Sequence, residues 1–274
     1  MTSPSLLTVS LSRVDQVNKQ VRLFRLALQS GPISFSPGQW LDTYVPGIAK
    51  PGGFTITSPP SAAAAADPYF ELAVKESPEN PPAEWLWHPA EDILGSRLRV
   101  RVGGSFVFPP AGRAAAALRR VVFVAGGLGI NPLMSMMSAI ADGTGGFDGD
   151  VRVLYAGKMP AGGVAEVLFL RRIATLFEQG KLRGRLQVFV TSVSTRSDLL
   201  RGPEDEFRKA GVEILARRFG EEDLKAAFGG LEDLGSCVVY VCGPPTMTDE
   251  MVGVLTSLKG VGLEPGQILT EKWW

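Results

Sequence analysis

The chain has 274 residues, long enough for two domains, and its 28 basic and 28 acidic side chains give a formal net charge of zero. No polybasic block stands out, which argues against a nucleic-acid footprint, and no apolar run approaches the roughly 20 residues of a membrane helix. Two cysteines, Cys237 and Cys242, are too few for a disulfide framework or an iron–sulfur cluster. The single histidine, His88, removes multi-histidine metal centres and the usual serine or cysteine triads. Chemistry in this chain therefore falls to an organic cofactor. The opening residues leave little room for a targeting peptide before the strand-like Leu6, so the expected compartment is cytoplasmic, with a mitochondrial one left open.

The first half reads as short strands with punctuated turns. Residues 6–12 and 20–28 form two strand candidates joined by a polar turn at Asp15–Gln16–Val17–Asn18. The second of these has no clean inward face. Pro37–Gly38 marks a turn before a strand from Trp40 to Val45, and Phe54–Thr55–Ile56–Thr57–Ser58 is a short β run ended by Pro59–Pro60. The alanine-rich stretch 61–68 reads as a loop. Residues 69–75 alternate again, a short helix is expected at 83–88, and 98–108 supply one or two more strands. The pattern suggests an antiparallel β-barrel over residues 1–112.

From about residue 113 the pattern becomes strand–helix alternation. Val121 to Ala125 is a buried-strand run that stops at Gly126–Gly127–Leu128–Gly129–Ile130–Asn131–Pro132, with Asn131 as a candidate N-cap and Pro132 in the first helical turn. Further strands are expected at 151–155, 186–191, 237–242 and 267–270, with helices at 166–177, 221–228 and 249–258. Thr246 or Thr248 would cap the last helix. This is a doubly wound, parallel α/β sheet over residues 113–274, which binds ligands beyond the C-terminal ends of its strands. A strand, a glycine-rich turn and an opening helix make an anion site from free N–H groups and the positive helix end. A dinucleotide pyrophosphate is the natural ligand.

Ala125–Gly–Gly–Leu–Gly–Ile–Asn–Pro132, followed at this separation by Cys242–Gly–Pro–Pro–Thr–Met247, resembles the ferredoxin–NADP reductase superfamily. Phe35–Ser–Pro–Gly–Gln39 and Phe54–Thr–Ile–Thr–Ser58 extend the likeness over nearly the whole chain. Gly103–Gly–Ser–Phe106 and the terminal Glu–Lys–Trp–Trp look most like the oxidoreductase NAD-binding-domain-containing proteins. The resemblance implies a flavin-binding barrel and a nicotinamide-binding α/β domain, with hydride passing to flavin N5 in the cleft between them. It implies that Gly126, Gly127, Gly129, Asn131 and Pro132 seat the pyrophosphate. Cys242, Gly243, Pro244 and Met247 would lie by the nicotinamide, and Thr191 and Ser192 by the adenosine. Phe54, Thr55, Ile56 and Thr57 would meet FAD. Trp273 would cover the flavin and move aside for the nicotinamide, and Glu271 stands where the family often has an acidic residue. The implied catalytic set is Cys242, Thr55, Trp273 and Glu271.

The sequence also departs from the family. The arginine that pairs with a flavin phosphate is replaced by Gly52. The second phosphate element, a glycine-containing loop, reads here Lys75–Glu–Ser–Pro–Glu–Asn–Pro–Pro82. Gly103, Gly104 and Ser105 could offer N–H groups instead. Lys158 and Arg196, after the second and third strands, favour NADP over NAD through the 2′-phosphate.

The expected function is a flavin-dependent oxidoreductase that moves hydride from NAD(P)H to bound FAD and then to a separate acceptor, protein or small molecule. Two alternatives stay open: a non-enzymatic nicotinamide-binding sensor or scaffold, and a flavin reductase that uses diffusible flavin. No nucleic-acid or membrane partner is expected.

Overall fold

The computed structural model describes residues 6–192, 204–230, 233–257 and 259–272. Strand β1 (Leu7–Asn18) runs through the expected turn and reverses only at Lys19–Gln20 into β2 (Val21–Leu28). The polar residues among 13–18 are tolerated because β1 here extends past its pairing with β6: Arg13 pairs with Asp15 and Gln16 bonds Arg22, while Val14 still packs on the core. Register shifts at Leu11/Arg13 and Gln16/Asn18 reset the inward face, so Val21 is buried together with Phe24, Leu26 and Leu28. That explains why β2 alternates imperfectly as a sequence.

Strands β3 (Trp40–Tyr44), β4 (Gly52–Thr55), β5 (Tyr69–Lys75) and β6 (Arg97–Gly103) complete an antiparallel sheet ordered β4-β3-β6-β1-β2-β5. A bridge from Ile56 to Leu72 of β5 joins the two edges, closing the sheet on itself as a barrel and removing a free edge. Phe24, Leu26, Leu41, Ile56, Phe70 and Leu72 form its core. Three short helices cover the connections: α1 (Pro60–Ala63), α2 (Pro81–Leu86) and α3 (Ala90–Ile93). Helix α1 lies inside the alanine-rich stretch expected to be a loop, where Pro60 opens the turn and Ala62 and Ala63 are buried. Helix α2 begins two residues before the expected start, at a proline pair.

The second half builds a parallel sheet from β7 (Arg120–Gly126), α4 (Ile130–Ala141), β8 (Asp150–Lys158), α5 (Leu170–Glu178), β9 (Gly184–Thr191), α6 (Glu204–Lys209), β10 (Val212–Leu215), α7 (Glu221–Phe228), β11 (Cys237–Gly243), α8 (Pro245–Thr256) and β12 (Ile268–Lys272). Strand order is β10-β9-β8-β7-β11-β12. Successive strands run outward from β7 on one side, and the chain then returns to lay β11 and β12 on the other. Strands β7 and β11 therefore flank the topological switch point, and every residue of both is buried. Strand β10 was not legible in the sequence, because four residues with two half-buried positions carry no clear pattern. By contact the chain divides into two compact units, Met1–Phe108 with Met134–Ala139, and Pro109–Leu133 with Ile140–Trp274. No helix among the described residues is long and apolar enough to cross a membrane.

One buried cation ties the start of the parallel sheet together. Arg120, 7% exposed, is in register with Asp150 and pairs with its carboxylate at 2.8 Å. The same guanidinium donates to the carbonyls of Ala227 and Gly229 at the end of α7, at 3.0 Å each, where a helix presents negative charge. Asp150 also binds Arg152 at 2.7 Å. We expect Arg120→Leu to lower stability by about 3 kcal/mol in denaturant titrations, as for removal of one partner of a buried pair. Arg152→Leu, at a more exposed position, should cost less than half as much.

Candidate functional site

The switch point brings two glycine-rich turns side by side. The first follows β7 as a 3-10 turn, Gly127–Gly129, that runs directly into α4. The helix thus begins at Ile130, ahead of the expected Asn131 cap, because the glycine turn itself provides the entry; Asn131 and Pro132 lie in the first turn. The second follows β11: Gly243 ends the strand, Pro244 precedes α8, and Pro245 opens it. Neither Thr246 nor Thr248 caps this helix. The Thr248 hydroxyl, fully buried, donates back to the carbonyl of Pro244 at 3.1 Å, bracing the turn from inside.

The glycines divide into two kinds. A Cβ on Gly129 would collide with the carbonyl of Cys242, and one on Gly126 would lie 2.6 Å from the sulfur of Met247 and 2.9 Å from the Pro244 ring. A Cβ on Gly243 would lie 2.5 Å from the Met247 methyl and 3.1 Å from the Cα of Gly126. These three glycines let the turns interlock, with Met247 packed over both. Gly127 differs: it is exposed, has φ +55°, and nothing lies within 4 Å of where its Cβ would be. It presents bare backbone at the start of α4, the cradle an approaching pyrophosphate needs. The residues present fit a nicotinamide dinucleotide.

Around this point, Cys242 is in parallel register with Ala125 of β7 and Glu271 of β12. Burial, and then the nearby charge of Glu271, push the Cys242 thiol well above its ordinary pKa, and burial pushes Cys237 up to about 11. Both are neutral thiols at physiological pH and behave as small apolar groups. Lys272 at the end of β12 pairs with Asp249 of α8 at 2.6 Å. At the neighbouring strand ends, Thr191 donates to the carbonyl of Gly157 and Ser192 takes the left-handed conformation at φ +63°. Lys158, at the tip of β8, is exposed and has no ion-pair partner among the described residues. Arg196 and Trp273 lie outside the described residues.

In the barrel, Phe54, Thr55, Ile56 and Thr57 are all buried. Ile56 is core, and the Thr57 hydroxyl is engaged with Glu71 at 2.9 Å. The Thr55 hydroxyl has no hydrogen-bond partner among the described residues. The phosphate-binding side of a flavin nucleotide is not matched. The Phe54 ring lies across Gly52: a Cβ there would fall 2.6 Å from the ring and 2.9 Å from Pro82, so the space an arginine would leave by is filled. Gly103 and Gly104 pack against the Trp40 indole, with Cβ positions 3.0 and 2.7 Å from it, while Gly104 and Ser105 stay exposed on their other side. The residues fit a flavin ring edge but not a flavin pyrophosphate held as in the family. Trp85 packs against the barrel core and Trp87 stacks with Arg22 at 4.5 Å; both are packing residues.

The description of the oxidoreductase NAD-binding domain matches residues 123–252, which span both glycine turns. Oxidoreductase NAD-binding domain-containing protein 1 of Xenopus laevis is 34% identical over 262 residues, covering 93% of this chain and 75% of that protein. The fold is shared with the ferredoxin reductase in carbazole 1,9a-dioxygenase (TM-score 0.70, 21% identity, 98% of this chain and 70% of that one). It is shared also with a ferredoxin NADP+ reductase from Neisseria gonorrhoeae with bound FAD and NADP (TM-score 0.66, 17% identity, 98% of this chain and 99% of that one).

The two kinds of glycine separate by experiment. Gly129→Ala should destabilise the protein by about 1–3 kcal/mol through overpacking against Cys242, read as a lower denaturant midpoint. Gly127→Ala should cost about 1 kcal/mol of backbone strain, keep the fold, and lose nicotinamide affinity at least tenfold by calorimetry. In the native protein neither cysteine should react with iodoacetamide at pH 8. Because burial raises the folded-state pKa of Cys237, its contribution to stability is intact below about pH 8.5 and falls as pH rises toward 11. Replacing Cys237 with Ala should flatten that alkaline loss.

Proposed function

Since the chain belongs to the family of oxidoreductase NAD-binding domain-containing protein 1, we propose that it is an NAD(P)H-dependent oxidoreductase that passes hydride to a flavin and electrons on to a separate acceptor. The observation that carries this reading is the open, left-handed Gly127 at the start of α4, held at the switch point by the interlocked Gly126, Gly129 and Gly243. Backbone N–H groups at the start of α4 bind the pyrophosphate, and the helix dipole favours its charge. The nicotinamide, when bound, supplies the hydride. Cys242 presents a compact, uncharged wall at the end of β11 and acts by shape and water exclusion; its neutral thiol is no nucleophile. Glu271 keeps a carboxylate beside Cys242. The Thr55 hydroxyl, without a partner among the described residues, is available to a flavin ring edge in the barrel.

We further propose NADP over NAD, on the exposed Lys158 at the tip of β8, which has no ion-pair partner among the described residues. A cation there meets the 2′-phosphate that NAD lacks.

Calorimetric titration with NADPH and NADH tests the reading: one nucleotide per chain is expected, and binding of neither would overturn it. Lys158→Glu should weaken NADPH about tenfold, a change of about 1.4 kcal/mol, and leave NADH nearly unaffected.

A further inference from the structure

We propose that this protein takes its flavin as an exchanging substrate, recognised through the isoalloxazine ring, and that riboflavin, FMN and FAD serve alike. The inference rests on the hydride-to-flavin reading and deepens it by naming the acceptor class.

Three features of the barrel remove the two elements by which the family holds a flavin phosphate. First, the side-chain space at Gly52 is taken by the Phe54 ring and by Pro82. A planar guanidinium fork has no path out of that position, and Lys50, two residues earlier, is an exposed point charge without the fork's two parallel donors. Second, α2 begins Pro81–Pro82, so its first two helical positions have no N–H. The next donor, the N–H of Ala83, is taken by the Asn80 side chain at 3.4 Å. A helix start that elsewhere gathers anions is here without a free donor through its first three positions. Third, the loop that leads into α2 is acidic. Glu76 and Glu79 are both exposed. The Glu79 carboxyl is held ionised by its hydrogen bond from the Ser77 hydroxyl, at 2.6 Å. A phosphate brought to this loop meets like charge.

What remains is the ring end. Among the described residues the Thr55 hydroxyl has no partner beside the buried Phe54, and Gln39 and Trp40 support the strand from which Thr55 projects: Ile56 N–H donates to the Gln39 carbonyl at 3.0 Å, and Thr55 pairs with Trp40. Recognition of the ring without the phosphates predicts weak, rapidly exchanging binding and no preference among flavins that differ only in their phosphate tails. The reaction balances as NAD(P)H plus oxidised flavin plus one proton giving NAD(P)+ plus dihydroflavin. The C–H bond of the nicotinamide breaks, its electron pair and hydrogen form the new N–H bond of the flavin, and solvent supplies the second proton. The dihydroflavin leaves and is reoxidised by the acceptor, which in an aerobic assay is dioxygen.

The test uses the full chain and follows NADPH oxidation at fixed ionic strength with riboflavin, FMN and FAD in turn. The expected result is protein that carries no stoichiometric flavin through gel filtration and KM values for the three flavins within about threefold. Glu79→Lys should lower the KM of FMN and FAD about fivefold relative to riboflavin, because it removes the repulsion and adds a cation. Stoichiometric FAD that survives gel filtration, or a KM for FAD more than tenfold below that for riboflavin, overturns this inference alone. Nucleotide binding with no oxidation by any of the three overturns the hydride-to-flavin reading with it.

Discussion

The backbone of Gly129 lies against the carbonyl of Cys242 so closely that a single methyl group would not fit, and the α/β unit is arranged around that contact. It fixes the height at which β7 and β11 end beside each other, and hence where α4 and α8 begin. Met247 closes the small gap that remains over Gly126 and Gly243, and the Thr248 hydroxyl braces the second turn from below. Once the turns are fixed, Gly127 has only one direction to face, which is outward. The open backbone at Gly127 is thus a by-product of close packing: three glycines serve chain-to-chain approach and the fourth is left uncovered.

The two units differ in how far they retain what the family implies. The α/β unit retains the paired glycine turns and a neutral, buried Cys242. On the flavin side Phe54 and Thr55 remain, while the positions of the family's arginine and of its glycine-containing loop are taken by groups that fill, cap or repel. These replacements are mutually consistent. Pro82 helps fill the space above Gly52 and also deletes a helical N–H, and Asn80 caps the donor that is left. A site lost by drift would leave a hole or an unpaired donor, whereas here the space and the donors have other occupants.

Much of this was legible in the sequence, for identifiable reasons. Buried parallel strands are continuous apolar runs, so β7 and β11 announce themselves, and glycine turns at their ends mark the switch point. Strand β10 did not, because an edge strand of four residues has no periodicity to read. The true turn at Lys19–Gln20 was hidden by polar residues along β1, which a strand extending past its pairing with β6 accepts as readily as a turn does. The roles of Gly126 and Gly129 could not be told from that of Gly127 by residue type alone, since packing against Cys242 is a fact of three dimensions. The proline pair at 81–82 was a readable signal. Two prolines at a helix start remove two N–H groups whatever the tertiary structure, and that alone argues against an anion there.

Hydrogen exchange in the presence and absence of NADPH tests the central claim most directly. If the cofactor sits on the open face of Gly127, the amides of residues 127–131 should slow markedly on binding, with a smaller effect at 243–247, while the acidic loop 76–80 is unchanged. Saturable NADPH binding that leaves residues 127–131 exchanging at their free rate would contradict it.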